Sequence, residues 1–135
     1  MPVVKAETLS VEQTDQVVRV RQAVRDWAIQ LGFSLVDQTK IITAASELAR
    51  NTVVYGGGGT VRLESLEEAG RRGLRLVFED QGPGIPDIQQ ALKDGYTSGN
   101  GLGLGLGGAK RLSNQFDLYS RPGEGTRVTI TRWKP

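Results

Sequence analysis

Gly56-Gly57-Gly58-Gly59 restricts the folding of this chain more than any other feature. Four consecutive glycines cannot hold a helix against their backbone entropy, so the element before them ends there. That element reads as a helix, with Ile41, Ala45, Leu48 and Thr52 on one face, running to Tyr55. Asp37 is its expected N-cap, with Val36 and Ile41 placed for a hydrophobic staple. An earlier helix follows from Val17, Val20, Val24, Trp27, Ala28 and Leu31 at three- and four-residue steps, closed by Gly32. Val3 to Leu9 fits a short strand ahead of it.

Beyond the glycines the period changes. Thr60 to Leu66 and Leu74 to Asp80 read as strands joined by the polar turn Glu67 to Gly73. Pro86 suits the first turn of a short helix ending near Leu92. A glycine-rich loop is expected from Lys93 to Gly103, then a third long helix over Leu104 to Asn114. The last element is a hairpin, Phe116 to Ser120 and Thr126 to Trp133, turning through Arg121 to Gly125. Helices over one face of a mixed sheet make an α+β fold, a two-layer α/β sandwich, with one domain over residues 1–135.

Composition removes several chemistries. There is no cysteine, which excludes disulfides, thiolate zinc sites and thiol nucleophiles. There is no histidine, so the commonest general base and any histidine phospho-acceptor within the sequence are missing. Lys and Arg total 17 against 15 Asp and Glu, and the basic residues are scattered. That pattern does not make a phosphate-tracking patch, so no nucleic-acid partner is expected. No stretch approaches the roughly 20 apolar residues of a membrane span, and no basic region with an apolar run opens the sequence. A cytoplasmic protein without a membrane partner is the expectation.

Four places carry candidate chemistry. Asp80 is in phase with Leu74, Leu76 and Phe78, so a carboxylate shares the core face and needs a partner. Followed by Gly82-Pro83-Gly84, it also fits a cap or turn residue. Thr126 is in phase with Val128 and Ile130, which equally suits an ordinary strand start. Glu47 and Asn51 stack four residues apart on the rim of the second helix's apolar face. Such a pair suits a divalent cation bound through few protein oxygens, or simply a solvated flank. Finally, Gly99-Asn100-Gly101-Leu102-Gly103-Leu104-Gly105-Leu106-Gly107-Gly108 leaves backbone N–H groups free to approach anions ahead of a helix. It is not a dinucleotide fingerprint, because a loop rather than a strand precedes Gly103. It is not a P-loop either, since Lys110 follows Ala109 and precedes Arg111.

In this order the pieces resemble the Bergerat nucleotide fold of the GHKL superfamily, which includes gyrases, chaperones and histidine kinases. Glu47-Leu48-Ala49-Arg50-Asn51 resembles its N box, Asp80-Gln81-Gly82-Pro83-Gly84-Ile85 its first glycine box, and Gly101-Leu102-Gly103-Leu104 its second. Gly123-Glu124-Gly125-Thr126 matches the distal threonine element, so the likeness covers nearly the whole chain. Within the superfamily the chain is most similar to the anti-sigma-factor-type serine/threonine kinases, in particular the switch kinases of the bacterial stressosome. Tyr55-Gly56 stands where anti-sigma factors proper often carry a histidine, which points away from direct sigma binding.

The resemblance implies ATP and Mg²⁺ as cofactors and a protein serine/threonine kinase activity. It implies Glu47 as general base, Asn51 as Mg²⁺ ligand, and Asp80 as acceptor for the adenine amino group, assisted by Thr126. Gly82 and Gly84 would let the purine approach, while Gly101, Gly103 and Gly105 would belong to the lid and phosphate cradle. Lys93 and Arg50 are the candidate cations for the γ-phosphate. The implied partners are STAS-domain scaffold or antagonist proteins and a PP2C-type phosphatase. An ATP-dependent module that sequesters its partner is the alternative, and a detached histidine-kinase catalytic domain is a third reading.

Overall fold

The computed structural model describes residues 3–85, 87–92 and 105–135. The chain opens with β1 (Val3–Val11), then α1 (Thr14–Gln30) and α2 (Leu35–Val54). β2 (Gly59–Glu68) and β3 (Arg71–Asp80) follow as a hairpin, then α3 (Ile88–Ala91) and α4 (Gly105–Arg111). The hairpin of β4 (Gln115–Arg121) and β5 (Gly125–Trp133) ends the fold.

Local chemistry sets these boundaries. Gly32, at φ +84°, closes α1 as a left-handed cap: its N–H reaches the Ile29 carbonyl and the Phe33 N–H reaches that of Ala28, both at 3.0 Å. The glycine run ends α2 at Tyr55, as expected, and β2 starts at Gly59. The start of α2 differs from expectation. Ser34 is the N-cap, its Oγ accepting the Asp37 N–H at 3.2 Å, and Val36 is 63% exposed, so no staple forms. Asp37 is the third residue of the helix, in its first turn, where its Oδ2 accepts the Ser34 hydroxyl at 3.1 Å and its Oδ1 accepts Arg132 Nη2 at 2.7 Å. The turn between β2 and β3 is also tighter than expected. Ala69 and Gly70 both have positive φ, and a two-residue turn of that kind matches the strand twist, so both strands run on to it.

The five strands lie in the order β1-β2-β3-β5-β4, and every neighbouring pair is antiparallel. The fold class is the expected α+β, two-layer one, but the sheet is not mixed. Two helices rather than one separate β1 from β2; a strand, helix, helix, strand path brings the chain back reversed, whereas a single crossover helix would give parallel strands. The other two neighbouring connections that are hairpins are antiparallel by construction.

One face of the sheet meets the helices. Val61, Leu63, Leu74, Leu76, Phe78, Val128 and Ile130 from the strands bury against Val20, Val24 and Trp27 of α1 and Ile41, Ala45 and Leu48 of α2. Each large side chain so buried contributes about 1.5–3 kcal/mol relative to exposure. The other face carries polar cross-strand partners. There Glu64 is buried between Arg62 and Arg75, at 3.0 and 2.6 Å. Burial alone would push the Glu64 carboxyl up, but the guanidinium hydrogen bonds and charges of Arg75 and Arg62 outweigh it and hold it below the usual value.

Candidate functional site

At the end of the core where β3 finishes and β5 begins, a cavity of about 390 Å³ opens between sheet and helices. Leu48, Phe78, Val128 and Leu106 form apolar walls, and Asn51, Thr52, Asp80, Asp87 and Thr126 supply polar groups. An apolar chamber of this size with a few placed polar groups suits a small organic ligand.

Asp80 and Thr126 face each other directly across β3 and β5, and Thr126 faces Ser120 across β5 and β4. The three side chains therefore stand in a row on the core face. Asp80 is half-buried, and its Oδ1 accepts the Gly82 N–H at 2.9 Å. Burial pushes its carboxyl above the usual range, and the backbone N–H groups of Gly82 and Thr126 only partly oppose this. A carboxylate with raised basicity at a cavity wall is poised to accept a hydrogen bond from a ligand.

The glycines beside it are needed for backbone contact. A Cβ on Gly56 would lie 2.4 Å from Asp80 Cγ, and one on Gly82 would lie 2.7 Å from the Gly56 carbonyl oxygen. The end of α2 thus presses on the carboxylate. Gly84 lines the cavity at φ +80°, yet its missing Cβ faces the Arg121 carbonyl at 2.2 Å. Gly82 is not among the lining residues. The bare backbone at Gly82 and Gly84 lets three backbone segments meet.

On α2, Asn51 lines the cavity and is half-buried, and its carbonyl accepts the N–H groups of Tyr55 and Gly56. Glu47, one turn earlier, is 6% exposed and makes no hydrogen bond among the described residues. It lies outside the apolar chamber itself, as does Arg50. Gly105 opens α4 and lines the cavity, while Gly101, Gly103 and Lys93 lie outside the described residues.

Ser120, Thr52 and Asp87 are polar residues of this site that the sequence did not single out. Ser120 Oγ accepts the Ile85 N–H at 2.8 Å, donates to the Gly125 carbonyl at 3.1 Å and lies 2.9 Å from Thr126 Oγ1. Thr52 lines the cavity with its hydroxyl turned back to the Leu48 carbonyl at 2.8 Å. The register of the last hairpin was the one available signal for Ser120, since it pairs that residue with Thr126. Among the described residues no cluster of three or more acidic side chains forms a metal cage. Asn51 at the cavity wall still fits a cation held mainly by phosphate oxygens, as Mg²⁺ prefers.

Comparison with known proteins agrees with this geometry. Residues 36–135 match the family described as histidine kinase-, DNA gyrase B-, and HSP90-like ATPase. The chain is 48% identical over 117 residues to serine/threonine-protein kinase RsbT of Bacillus subtilis, covering 87% of this chain and 88% of that protein. It is 30% identical over 135 residues to an anti-sigma F factor of Clostridium novyi, covering 95% and 92%. Among solved structures, the RsbU and RsbW domains of a Mycobacterium tuberculosis protein superpose with a TM-score of 0.63 at 20% identity, over 96% of this chain and 33% of that one. The mycobacterial sensor histidine kinase MprB gives 0.55 at 19% identity, over 96% and 97%. At those identities the two structures speak for the fold alone.

Proposed function

This chain belongs to the histidine kinase-, DNA gyrase B-, and HSP90-like ATPase family, and on that footing we propose that it is an ATP-dependent serine/threonine protein kinase in a bacterial partner-switching system. The observation that carries the reading is the pairing of Asp80 with an apolar chamber of about 390 Å³, on a chain 48% identical to a named serine/threonine kinase. Asp80 accepts the adenine amino hydrogen, with Thr126 beside it, and Leu48, Phe78 and Val128 enclose the base. Asn51 holds Mg²⁺ together with the nucleotide's phosphates, and the cation spreads the negative charge of the transferring group when bound. Gly105, which opens α4 at the cavity, contributes to the phosphate cradle.

The acceptor is a serine or threonine hydroxyl of a STAS-domain partner. Its oxygen forms the new bond to the γ-phosphorus as the bond to the bridging oxygen of ADP breaks, and its proton passes to the Glu47 carboxylate. Hydroxyls are weak nucleophiles at neutral pH and need such a base. Glu47 supports that role by its place on α2 one turn before Asn51, which lines the cavity. A PP2C-type phosphatase is the second partner of this proposal, as the resemblance implies.

The test is transfer of labelled γ-phosphate from Mg-ATP to a purified STAS-domain partner, followed by mapping of the modified residue. A labelled serine or threonine is the expected product. A second reading, a module that holds ATP and sequesters its partner, is favoured by the anti-sigma F factor relatives. Stable nucleotide-dependent complex formation with no transfer of label would select it.

A further inference from the structure

Ser120 makes three hydrogen bonds at the cavity's polar end, and their directions can be worked out from valence alone. A serine hydroxyl has one hydrogen and accepts through its lone pairs. The Ile85 N–H can only donate, so Ser120 accepts there, at 2.8 Å. The Gly125 carbonyl can only accept, so the single Ser120 hydrogen goes to it, at 3.1 Å. Nothing is left to donate to Thr126. The 2.9 Å contact between the two hydroxyls is therefore a bond from Thr126 to Ser120. Thr126 has then used its own hydrogen, and only lone pairs remain for the cavity that it lines. Its direct neighbour across the strands, Asp80, is an acceptor as well when ionised.

We propose that Ser120 is a positioning residue that sets nucleobase choice: by taking up the Thr126 hydroxyl hydrogen, it leaves an acceptor pair, Thr126 and Asp80, that favours a 6-amino purine over a 6-oxo purine. A 6-amino group donates to such a pair, directly or through a water. A 6-oxo group places a third acceptor against it and leaves buried lone pairs without hydrogens, which costs more than a weakened bond. Without the Ser120 hydroxyl, Thr126 is free to rotate and offer its hydrogen to an oxo group. The inference rests on the reading of this cavity as the site for the base of ATP.

The experiment compares Mg-ATP with Mg-ITP, which carries a 6-oxo group and an N1 hydrogen in place of the 6-amino group and bare N1 of ATP, by titration calorimetry. In Ser120→Ala the preference for ATP over ITP falls by about 3- to 10-fold, the effect of one hydrogen bond. Ser120→Thr, which keeps the hydroxyl, retains the preference. Thr126→Val lowers it too, and adding Ser120→Ala to that variant lowers it no further, because Ser120 acts through Thr126. Equal weakening of both nucleotides in Ser120→Ala, with the ratio unchanged, would reduce Ser120 to a packing residue and overturn the proposal. So would additive losses in the double variant, and, where Ser120→Ala is poorly folded, an unchanged ratio in Thr126→Val. Wild-type protein that binds neither nucleotide overturns the ATP reading itself, and the proposal with it.

Discussion

At Asp80, stability and ligand recognition pull in opposite directions. Its carboxyl is pushed above its ordinary value by burial. A carboxyl more basic folded than unfolded takes up protons on folding, so its contribution to stability falls as pH rises from its unfolded value, 3.8, through its folded one. At neutral pH the ionised group is thus a cost to the unliganded protein and an asset to the complex. Asp80→Asn should leave the unliganded melting temperature at least as high while weakening Mg-ATP binding by about 10- to 150-fold, the loss of a hydrogen bond to a charged group. Calorimetry at pH 7 tests this; unchanged affinity in a folded variant removes Asp80 from the site. Acidification should weaken ATP binding to the wild type at a pH above 3.8, as the carboxylate is protonated. Glu47 should behave differently. Glu47→Ala is expected to keep nucleotide affinity and lose about 10²- to 10⁴-fold in transfer rate, the usual share of a positioned base. Transfer at the wild-type rate would take that role from Glu47.

Among the elements, α4 and α2 are tied together by one side chain from β5. Arg132 gives Nη2 to Asp37 on α2 at 2.7 Å and Nη1 to the Leu112 carbonyl just past α4 at 2.8 Å. The hydrogen bond from Arg132, aided by Ser34 and the charges of Arg132 and Lys40, holds the Asp37 carboxyl below its usual range against the opposing effect of burial. Stability from a depressed carboxyl is present above 3.8 and is lost as pH falls through the lower, folded value. Asp37→Asn should therefore flatten the acid limb of the stability curve and cost roughly 1.5–3 kcal/mol at pH 7. Chemical denaturation at pH 7 and pH 3 measures both. This strut was not legible in the sequence, where Asp37 looked like a helix cap, because its partner lies 95 positions away. What local patterns can report was legible: the glycine stop after α2, the alternation placing Asp80 and Thr126 on the core face, and the Glu47–Asn51 spacing. Strand direction was not, since periodicity is the same in parallel and antiparallel pairs. Ser120 was hidden for a related reason, as its importance comes from register with Thr126 and from a contact to Ile85 across 35 positions.

For the molecule as a whole, the absence of histidine bounds the reaction. A phosphate cannot be parked on an imidazole of this chain and relayed to an aspartate. Direct transfer to a partner hydroxyl gives a phosphoester, which survives mild acid; a phosphohistidine or acyl phosphate does not. Label on the partner should persist after acid treatment, and its disappearance would revive the histidine-kinase reading. No helix among the described residues is long and apolar enough to cross a membrane, so none of them competes with the site for a place in a bilayer.

The cavity walls have a second consequence. Leu48, Phe78, Leu106 and Val128 belong at once to the central core and to the chamber. The unliganded fold is in this sense a jigsaw short of its final piece, and the purine is the piece that fits. Occupancy then becomes a thermometer. At a free nucleotide concentration 100 times the dissociation constant, linkage adds about 2.7 kcal/mol to stability, a rise of roughly 8–12 °C in melting temperature for a chain of this size. A flat melting curve series across Mg-ATP concentrations would mean that the piece belongs elsewhere. If the series climbs, the chain's resistance to unfolding, and hence its lifetime among cellular proteases, rises and falls with the energy charge of the cell around it.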